Sequence, residues 1–208
     1  MRTQVVFPDT TVAFDVGRGL SLAAVERADS NDKFVFITRQ TDAQKEFPEA
    51  EDLCRIGTVA LIRQTTRLPG DRMRVFAEGL YRASARDFRL EGGYIYAVTD
   101  ELPAVHGDPT LEEAYFRTTK DIMRDITSSE NRIGKDSVAR LDRCGDPDEY
   151  VNVAANSLPL RDEVKQKILE CENVTERLRM LERCLNDELE IMRLARKINN
   201  AVRQNIDK

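Results

Sequence analysis

The chain of 208 residues is long enough for one large domain or two small ones, each with its own core. Apolar residues make up 41% and charged residues 33%, which is typical of a water-soluble globular protein. The net charge of −5 argues against a face for nucleic acid, because neutralising phosphates requires clustered Lys and Arg. No apolar run approaches the roughly 20 residues of a membrane span, and no secretory signal is visible. The sequence therefore predicts a cytoplasmic protein that binds neither membrane nor nucleic acid.

The cysteines and the single histidine give no sign of a metal site. Cys54, Cys144, Cys171 and Cys184 are widely separated, and no CxxC pair occurs. His106 has no Cys, Asp or Glu beside it. Because a metal site requires closer clustering of such ligands, none is predicted, and the cysteines are interpreted as reduced thiols.

Up to about Leu102 the pattern indicates β-strands. Gly and Pro residues separate runs in which apolar and polar residues partly alternate. The predicted strands are Gln4–Phe7, Thr11–Val16, Lys33–Thr38, Leu53–Leu68, Arg72–Asp87 and Arg89–Thr99, with one short helix from Leu20 to Ala28. Lys33–Thr38 has the β-branched and aromatic composition of a buried strand. Pro69-Gly70 suits a type II turn, and Gly79 inside a strand predicts a bulge or a bend.

After Pro109 the apolar period changes from two to about 3.6, which indicates helices. Predicted helices run from a capping box at Thr110–Glu113 towards Ser128, over 137–143, from an Asp146 N-cap through Val153, over 162–170, and from Asn173 to the end. The predicted class is α+β. An N-terminal antiparallel β pseudo-barrel with one short helix occupies 1–105, and an α-helical bundle ending in a long projecting helix occupies 106–208.

The long helix over 173–208 has no Pro or Gly and no stop signal. Asn173 is a suitable N-cap. An apolar stripe predicts a buried face at its start, formed by Leu178, Leu181, Leu185 and Leu189. From about Ile198 onward the sequence predicts a segment that packs on little of its own chain, so Val202→Ala should hardly change stability.

No catalytic motif is present. The sequence contains neither G-x-x-x-x-G-K-[ST], which would cradle a nucleotide, nor G-x-S-x-G. Nothing places a nucleophile beside His106. The adjacent carboxylates Glu112-Glu113 and Asp187-Glu188 do not share a helix face and are interpreted as solvated charge. The sequence therefore predicts no catalytic, cofactor-binding or metal-binding residue, and the substrate-binding residues stay unknown.

Several stretches resemble the N-terminal domain of Lon proteases. They are VVFPDTTVAFDVGRGLSLAAVERA, IGTV, VFAEGLYR, LPLRDEVKQKILE, ENVTERLRMLERCLNDELE and ARKINNAVRQNIDK, in that order along nearly the whole chain. Their glycines, Gly17, Gly57 and Gly79, are interpreted as backbone requirements. Arg18 and Arg82 are interpreted as structural residues rather than ligands.

The resemblance implies a module that captures unfolded or damaged proteins and supports oligomerisation, hexameric in the parent and monomeric or dimeric for this piece alone. In the family an AAA+ ATPase, which uses ATP and Mg²⁺, and a Ser–Lys peptidase follow this domain, so whether this chain is an enzyme stays open. An apolar patch of several hundred Å² is expected on the β half, near the upper end for an ordinary monomer. The alternatives are a free-standing adaptor that binds a peptide or partner protein, and a small enzyme whose site no motif reveals.

Overall fold

The structure, a computed structural model, describes residues 4–17, 19–45, 48–129 and 133–206, without the side chains at 129 and 200–206. It confirms the predicted α+β class. The strands are β1 (Thr11–Val16), β2 (Phe34–Ile37), β3 (Ile56–Leu68), β4 (Arg72–Glu91) and β5 (Tyr94–Glu101). The helices are α1 (Gly19–Asp29), α2 (Pro109–Ser129), α3 (Lys135–Arg143), α4 (Pro147–Ser157), α5 (Asp162–Glu170) and α6 (Val174–Ile206).

The chain forms two compact units. The first contains residues 1–104 and 159–172, and the second contains 105–158 and 173–208. Helix α5 therefore lies with the strands. Gln166 Nε2 donates a 3.0 Å hydrogen bond to the carbonyl of Ile56 in β3, and Glu163 forms a 2.7 Å ion pair with Arg39.

The strands form one antiparallel sheet in the order β1-β4-β3-β2, with β5 also paired to β4. Successive side chains of a strand point to opposite faces of the sheet, and those on one face form a buried cluster that α1 covers. The cluster consists of Val6, Val16, Val25, Ala28, Ile37, Ala60, Ile62, Met73, Val75 and Ala77.

The predicted last strand, Arg89–Thr99, was wrong at its centre. Gly92 and Gly93 have φ of 60° and 83° and form a two-residue turn. Such positive values are favourable for glycine and match the primed turns of tight hairpins. Strand β4 thus continues to Glu91, and β5 begins at Tyr94.

The predicted strand Gln4–Phe7 is absent from the sheet. Val5, Val6 and Phe7 are buried, but isolated hydrogen bonds hold this segment in place of regular pairing with a strand. Thr58 Oγ1 donates to the Val6 carbonyl at 2.6 Å, and Asp9 N donates to the Gly79 carbonyl at 2.9 Å. Pro8 lacks an N–H, which prevents regular pairing at its position.

Gly79 lies beside the predicted bulge. Val59 pairs with Tyr81 whereas Ala60 pairs with Gly79, which leaves Leu80 as the extra residue. A Cβ atom at Gly79 would lie 2.2 Å from the carbonyl oxygen of Phe7. Only glycine allows the two backbones to approach this closely.

We expect Gly79→Ala to lower the free energy of unfolding of the first unit by about 1–3 kcal/mol, because the added methyl group forces the backbone at Phe7 to move. Urea unfolding measures the change. Gly19→Ala is the control, since a Cβ there meets no atom within 4 Å. An equal effect of both substitutions would contradict the close approach.

In the second unit, α6 packs against α2 and α4. Its predicted buried face is confirmed for Leu178, Leu181 and Leu185, which are all 0% exposed, while Leu189 is half-buried. Phe116 of α2 meets Tyr150 of α4 edge to face, with ring centroids 5.3 Å apart. These contacts form the core of the helical unit.

Two of the three predicted helix caps are confirmed. Asp146 Oδ1 accepts from Glu149 N at 2.8 Å, and Asn173 Oδ1 accepts from Glu176 N at 3.0 Å. The capping box predicted at Thr110 was wrong, because Asp108 Oδ1 accepts from Leu111 N at 2.9 Å. Pro109, which has no N–H to satisfy, then occupies the first helical position.

The interpretation of Glu112 as solvated charge was also wrong. Its side chain is buried and accepts hydrogen bonds from Gly107 N at 3.3 Å and Thr175 Oγ1 at 3.2 Å. His106 Nδ1 lies 2.9 Å from Glu112 Oε1, and this hydrogen bond raises the pKa of His106. His106 thus has a structural contact within the second unit.

We expect the stability difference between the wild type and His106→Gln to be larger at pH 5.5 than at pH 8. A histidine whose pKa is raised by folding contributes stability below its unfolded pKa of about 6.5, and this is lost as the pH rises through the folded value. Melting temperatures at the two pH values measure it. A difference that is constant or grows with pH would contradict the His106–Glu112 contact.

Beyond Leu189 the apolar face of α6 becomes exposed. Met192 is buried, whereas Ile191, Leu194 and Ile198 are 57%, 51% and 62% exposed. The prediction for 198–208 therefore agrees with the structure at Ile198, and the side chain of Val202 lies outside the described part of the chain.

Candidate functional site

The first unit contains a groove with a volume of about 650 Å³, which we call the α1–β2–β5 groove. Its size falls in the range of ligand pockets, roughly 300–1,000 Å³. Helix α1, strand β2 and strand β5 form its walls, together with Phe88 of β4. The apolar lining residues are Phe14, Val16, Leu20, Ala24, Val25, Ala28, Phe34, Val35, Phe36, Ile37, Pro48, Leu53, Phe88, Tyr94, Ile95, Tyr96 and Ala97.

The turn after α1 determines how β2 enters the groove. Lys33 has φ of 65°, and its N–H donates to the Ala28 carbonyl at 2.9 Å, which ends the helix. Asp32 Oδ1 then accepts from Phe34 N at 3.1 Å. This short polar turn starts β2 directly beside α1.

Along β2, alternate side chains have different environments. Ile37 belongs to the buried cluster and Val35 packs against it, whereas Phe34 is 47% exposed. The strand predicted at Lys33–Thr38 is confirmed over Phe34–Ile37, but its predicted burial was wrong at Phe34, because β2 lies at one end of the sheet. An exposed phenylalanine at a groove is a candidate binding residue, since its burial by a partner is favourable.

Aromatic residues form one side of the groove. The Phe36 and Phe88 rings lie 6.3 Å apart, and Tyr94 and Tyr96 of β5 also line it. Arg89 Nη1 donates to the Tyr96 hydroxyl at 3.5 Å. A hydrogen bond from Arg89 lowers the pKa of Asp87, so this carboxylate stays ionised and paired.

The groove is poor in charge. Among the described residues that line it, only Arg27 and Asp32 are charged, and Asp32 accepts the Phe34 N–H. An apolar groove of this kind suits uncharged, apolar groups. Over the described residues, no three His, Cys, Asp or Glu side chains are grouped so that they could hold a metal ion.

Neither Arg82 nor His106, which the sequence emphasised, lines this groove. Arg82 is buried and donates to the carbonyls of Leu169, Cys171 and Pro103, a structural arrangement as predicted. His106 contacts Glu112 in the second unit, and Arg18 lies outside the described residues.

Sequence reasoning missed the groove residues. The alternation FVFI in β2 contained a usable signal, since aromatic residues stand on both sides of the core position Val35. Other exposed apolar side chains of this unit are Phe76, Tyr81, Leu90 and Val98. The expected area of an apolar patch on the β half stays a prediction.

Comparison with known proteins defines the class. The family model of the ATP-dependent protease La (Lon) substrate-binding domain matches residues 1–187. The chain therefore belongs to the family of Lon substrate-binding domains.

Individual relatives agree with this assignment. The Lon protease of Syntrophomonas wolfei is 34% identical over 208 residues, which are 100% of this chain and 26% of that protein. The Lon protease of Clostridioides difficile (strain 630) is 29% identical over 213 residues, 100% of this chain and 27% of that protein. The chain thus spans about a quarter of the length of these relatives.

Solved structures share the fold. The N-terminal domain of Mycobacterium avium complex Lon protease has a TM-score of 0.70 and 19% identity, covering 90% of this chain and 95% of that one. A Lon N-terminal domain protein from Xanthomonas campestris has a TM-score of 0.57 and 12% identity, covering 86% and 92%. In the described part of this chain, no helix combines the length and apolar character needed to span a membrane.

Proposed function

We propose that this chain is the N-terminal recognition module of a cytoplasmic, ATP-dependent Lon-type serine protease, and that the α1–β2–β5 groove captures unfolded or damaged proteins. The observation that supports it best is the apolar, almost uncharged groove with Phe34 half exposed at its edge. Unfolded proteins expose the apolar side chains that folded proteins bury. A groove that accepts such side chains distinguishes the two states.

The proposal assigns binding, and no reaction, to this groove. Arg27 is the only cation that the described residues provide to the lining, fewer than a triphosphate with Mg²⁺ requires. ATP and Mg²⁺ belong, in this proposal, to other parts of the longer protein. This chain spans about a quarter of the length of its relatives, which are Lon proteases. This favours a module of a longer protease over a free-standing adaptor.

Self-association is the second part of the proposal. Ile191, Leu194 and Ile198 expose apolar surface on α6. In a longer protein such a face is suited to pack against another copy, because exposed helical stripes of this kind associate in water.

The groove is tested by a matched pair of substitutions in the same unit. Phe34, which lines the groove, and Phe76, which does not, are 47% and 42% exposed. We expect Phe34→Ser to weaken the binding of a fluorescent, reduced and carboxymethylated α-lactalbumin about 10-fold or more, as the loss of one buried aromatic contact implies. Phe76→Ser should change the dissociation constant less than about twofold.

Fluorescence anisotropy measures both constants, and circular dichroism verifies that both variants are folded. Equal weakening by the two substitutions would remove the groove from the proposal. A larger effect of Phe76→Ser would move the site to the region around Phe76.

A further inference from the structure

Two strand edges border the groove. Strand β2 pairs with β3 on one edge, and the described residues provide no strand on its other edge. Over the residues that the structure describes, β5 pairs with β4 alone. Successive residues 34–37 of β2 and 94–97 of β5 all line the groove. Because neighbouring side chains of a strand point to opposite faces, lining by successive residues is expected of a groove that follows the strand edges.

The register shows which backbone groups face the open edge. Ile62 N donates to the Lys33 carbonyl at 2.8 Å, so these two opposite residues form a hydrogen-bonded pair. In an antiparallel ladder every second pair is hydrogen-bonded, and the next two such pairs are Val35↔Ala60 and Ile37↔Thr58. The N–H and C=O of Phe36 therefore point away from β3.

The same argument applies to β5. The two-residue turn makes Glu91↔Tyr94 a hydrogen-bonded pair, so the backbone groups of Ile95 and Ala97 point away from β4. The groove thus combines apolar walls with backbone donors and acceptors on strand edges.

We propose that the groove binds its polypeptide by strand addition: an extended segment pairs with the open edge of β2, exchanging backbone hydrogen bonds with Phe36. The proposal rests on the proposed function and specifies its substrate class. Four residues of β2 extend over about 13 Å, which accommodates about four residues of a partner strand. Backbone bonds give such complexes affinity, and pockets for alternate side chains give them selectivity.

The charge of the groove identifies the occupant. Because Arg27 and Asp32 are the only charged side chains in the described lining, a segment with Lys or Glu inside the groove would lose hydration with little compensation. Helix α1 covers the face of β2 that carries Ile37, and the rings of Phe34 and Phe36 lie on the other face. The preferred segment is therefore uncharged, extended and free of proline, with apolar side chains at least at every second position.

This mode explains how one groove can accept many sequences. An unfolded chain offers the same N–H and C=O groups whatever its side chains are, whereas a folded protein has paired most of them. Recognition through the backbone thus selects the unfolded state, and the apolar walls select the segment.

The test uses seven-residue peptides with blocked ends in which valine and threonine alternate. One derivative carries N-methyl groups on the odd residues and the other on the even residues. Because alternate N–H groups of a strand point to the same edge, we expect at least one derivative to bind the full chain about 10-fold or more weaker than the unmethylated peptide.

Amide hydrogen exchange followed by NMR provides the second measurement. We expect the unmethylated peptide to slow hydrogen exchange of the Phe36 amide. Slower exchange of the Ile95 amide in addition is compatible with the proposal. Protection of Ile95 without Phe36 would assign the strand to β5 and overturn the proposal. Protection of Phe36 in the free chain that increases with protein concentration would mean that a second copy occupies the edge, and would also overturn it.

The outcomes separate this inference from the proposed function. Suppose that both methylated peptides bind as tightly as the unmethylated peptide, and that Phe34→Ser abolishes this binding. The groove would then remain the capture site, and strand addition would be overturned. If no peptide binds, and Phe34→Ser leaves binding of the unfolded protein unchanged, the proposed function fails together with the inference.

Discussion

Leu178→Ala is expected to lower the free energy of unfolding of the helical unit by about 2–5 kcal/mol, the range for core leucines. Leu178 is 0% exposed on the face of α6 between the equally buried Val174 and Leu181. The substitution removes buried apolar surface and leaves a cavity that the surrounding helices fill only in part. Urea unfolding followed by far-ultraviolet circular dichroism measures the loss.

Leu194→Ala is the matched control, since it makes the same change on the same helix where the side chain is 51% exposed. We expect a loss below about 0.5 kcal/mol. Equal losses in dilute samples would show that this part of α6 also belongs to the core. Weaker self-association of Leu194→Ala at high concentration would support the proposed role of the exposed stripe.

Arg82→Met is expected to cost about 2–4 kcal/mol, because it removes a buried guanidinium that donates to several carbonyl groups. Arg82 is 3% exposed, and its Nη1 donates to the Cys171 carbonyl at 2.6 Å and to the Leu169 carbonyl at 3.3 Å. Both carbonyls lie at the C-terminal end of α5, where a cation is favourable. Methionine keeps most of the apolar stem and removes the donors.

Arg86→Met is the control for this substitution. Arg86 is on the same strand and pairs with Asp100, but its side chain is 68% exposed. Such exposed pairs contribute about 0–1 kcal/mol. Faster amide exchange in α5 should accompany Arg82→Met and be absent in Arg86→Met. If α5 exchanges equally in both variants, Arg82 does not hold this helix.

Much of the fold was predictable because local chemistry determined it. Asp146 followed by Pro147, and Asn173 before a long apolar stripe, specify helix starts that depend on neighbouring residues alone. Pro69-Gly70 likewise marks the β3–β4 turn, where Gly70 has φ of 76°. The resemblance to Lon N-terminal domains then placed these elements in one family.

Features that depend on distant contacts were not predictable in this way. The location of α5 depends on bonds from Gln166 and Arg82 to residues far along the chain. Glu112 is buried because His106, Gly107 and Thr175 surround it, and sequence spacing alone indicated solvated charge.

The groove was missed for a related reason. Strand β2 has the composition of a buried strand, and only the sheet order shows that it is an edge. Edge and central strands differ in the pairing of their backbones, which side-chain composition does not report. The aromatic residues of β5 reach the same groove only because the turn at Gly92–Gly93 returns the chain.

Photocrosslinking tests most directly whether the α1–β2–β5 groove captures unfolded protein. Carboxymethylated α-lactalbumin carrying a photoreactive group is irradiated with the full chain, and the adducts are located by mass spectrometry. We expect adducts within 20–38 and 88–97, and their loss in Phe34→Ser but not in Phe76→Ser. Adducts confined to residues after Asn173 would place capture on the helices and contradict the groove as the site.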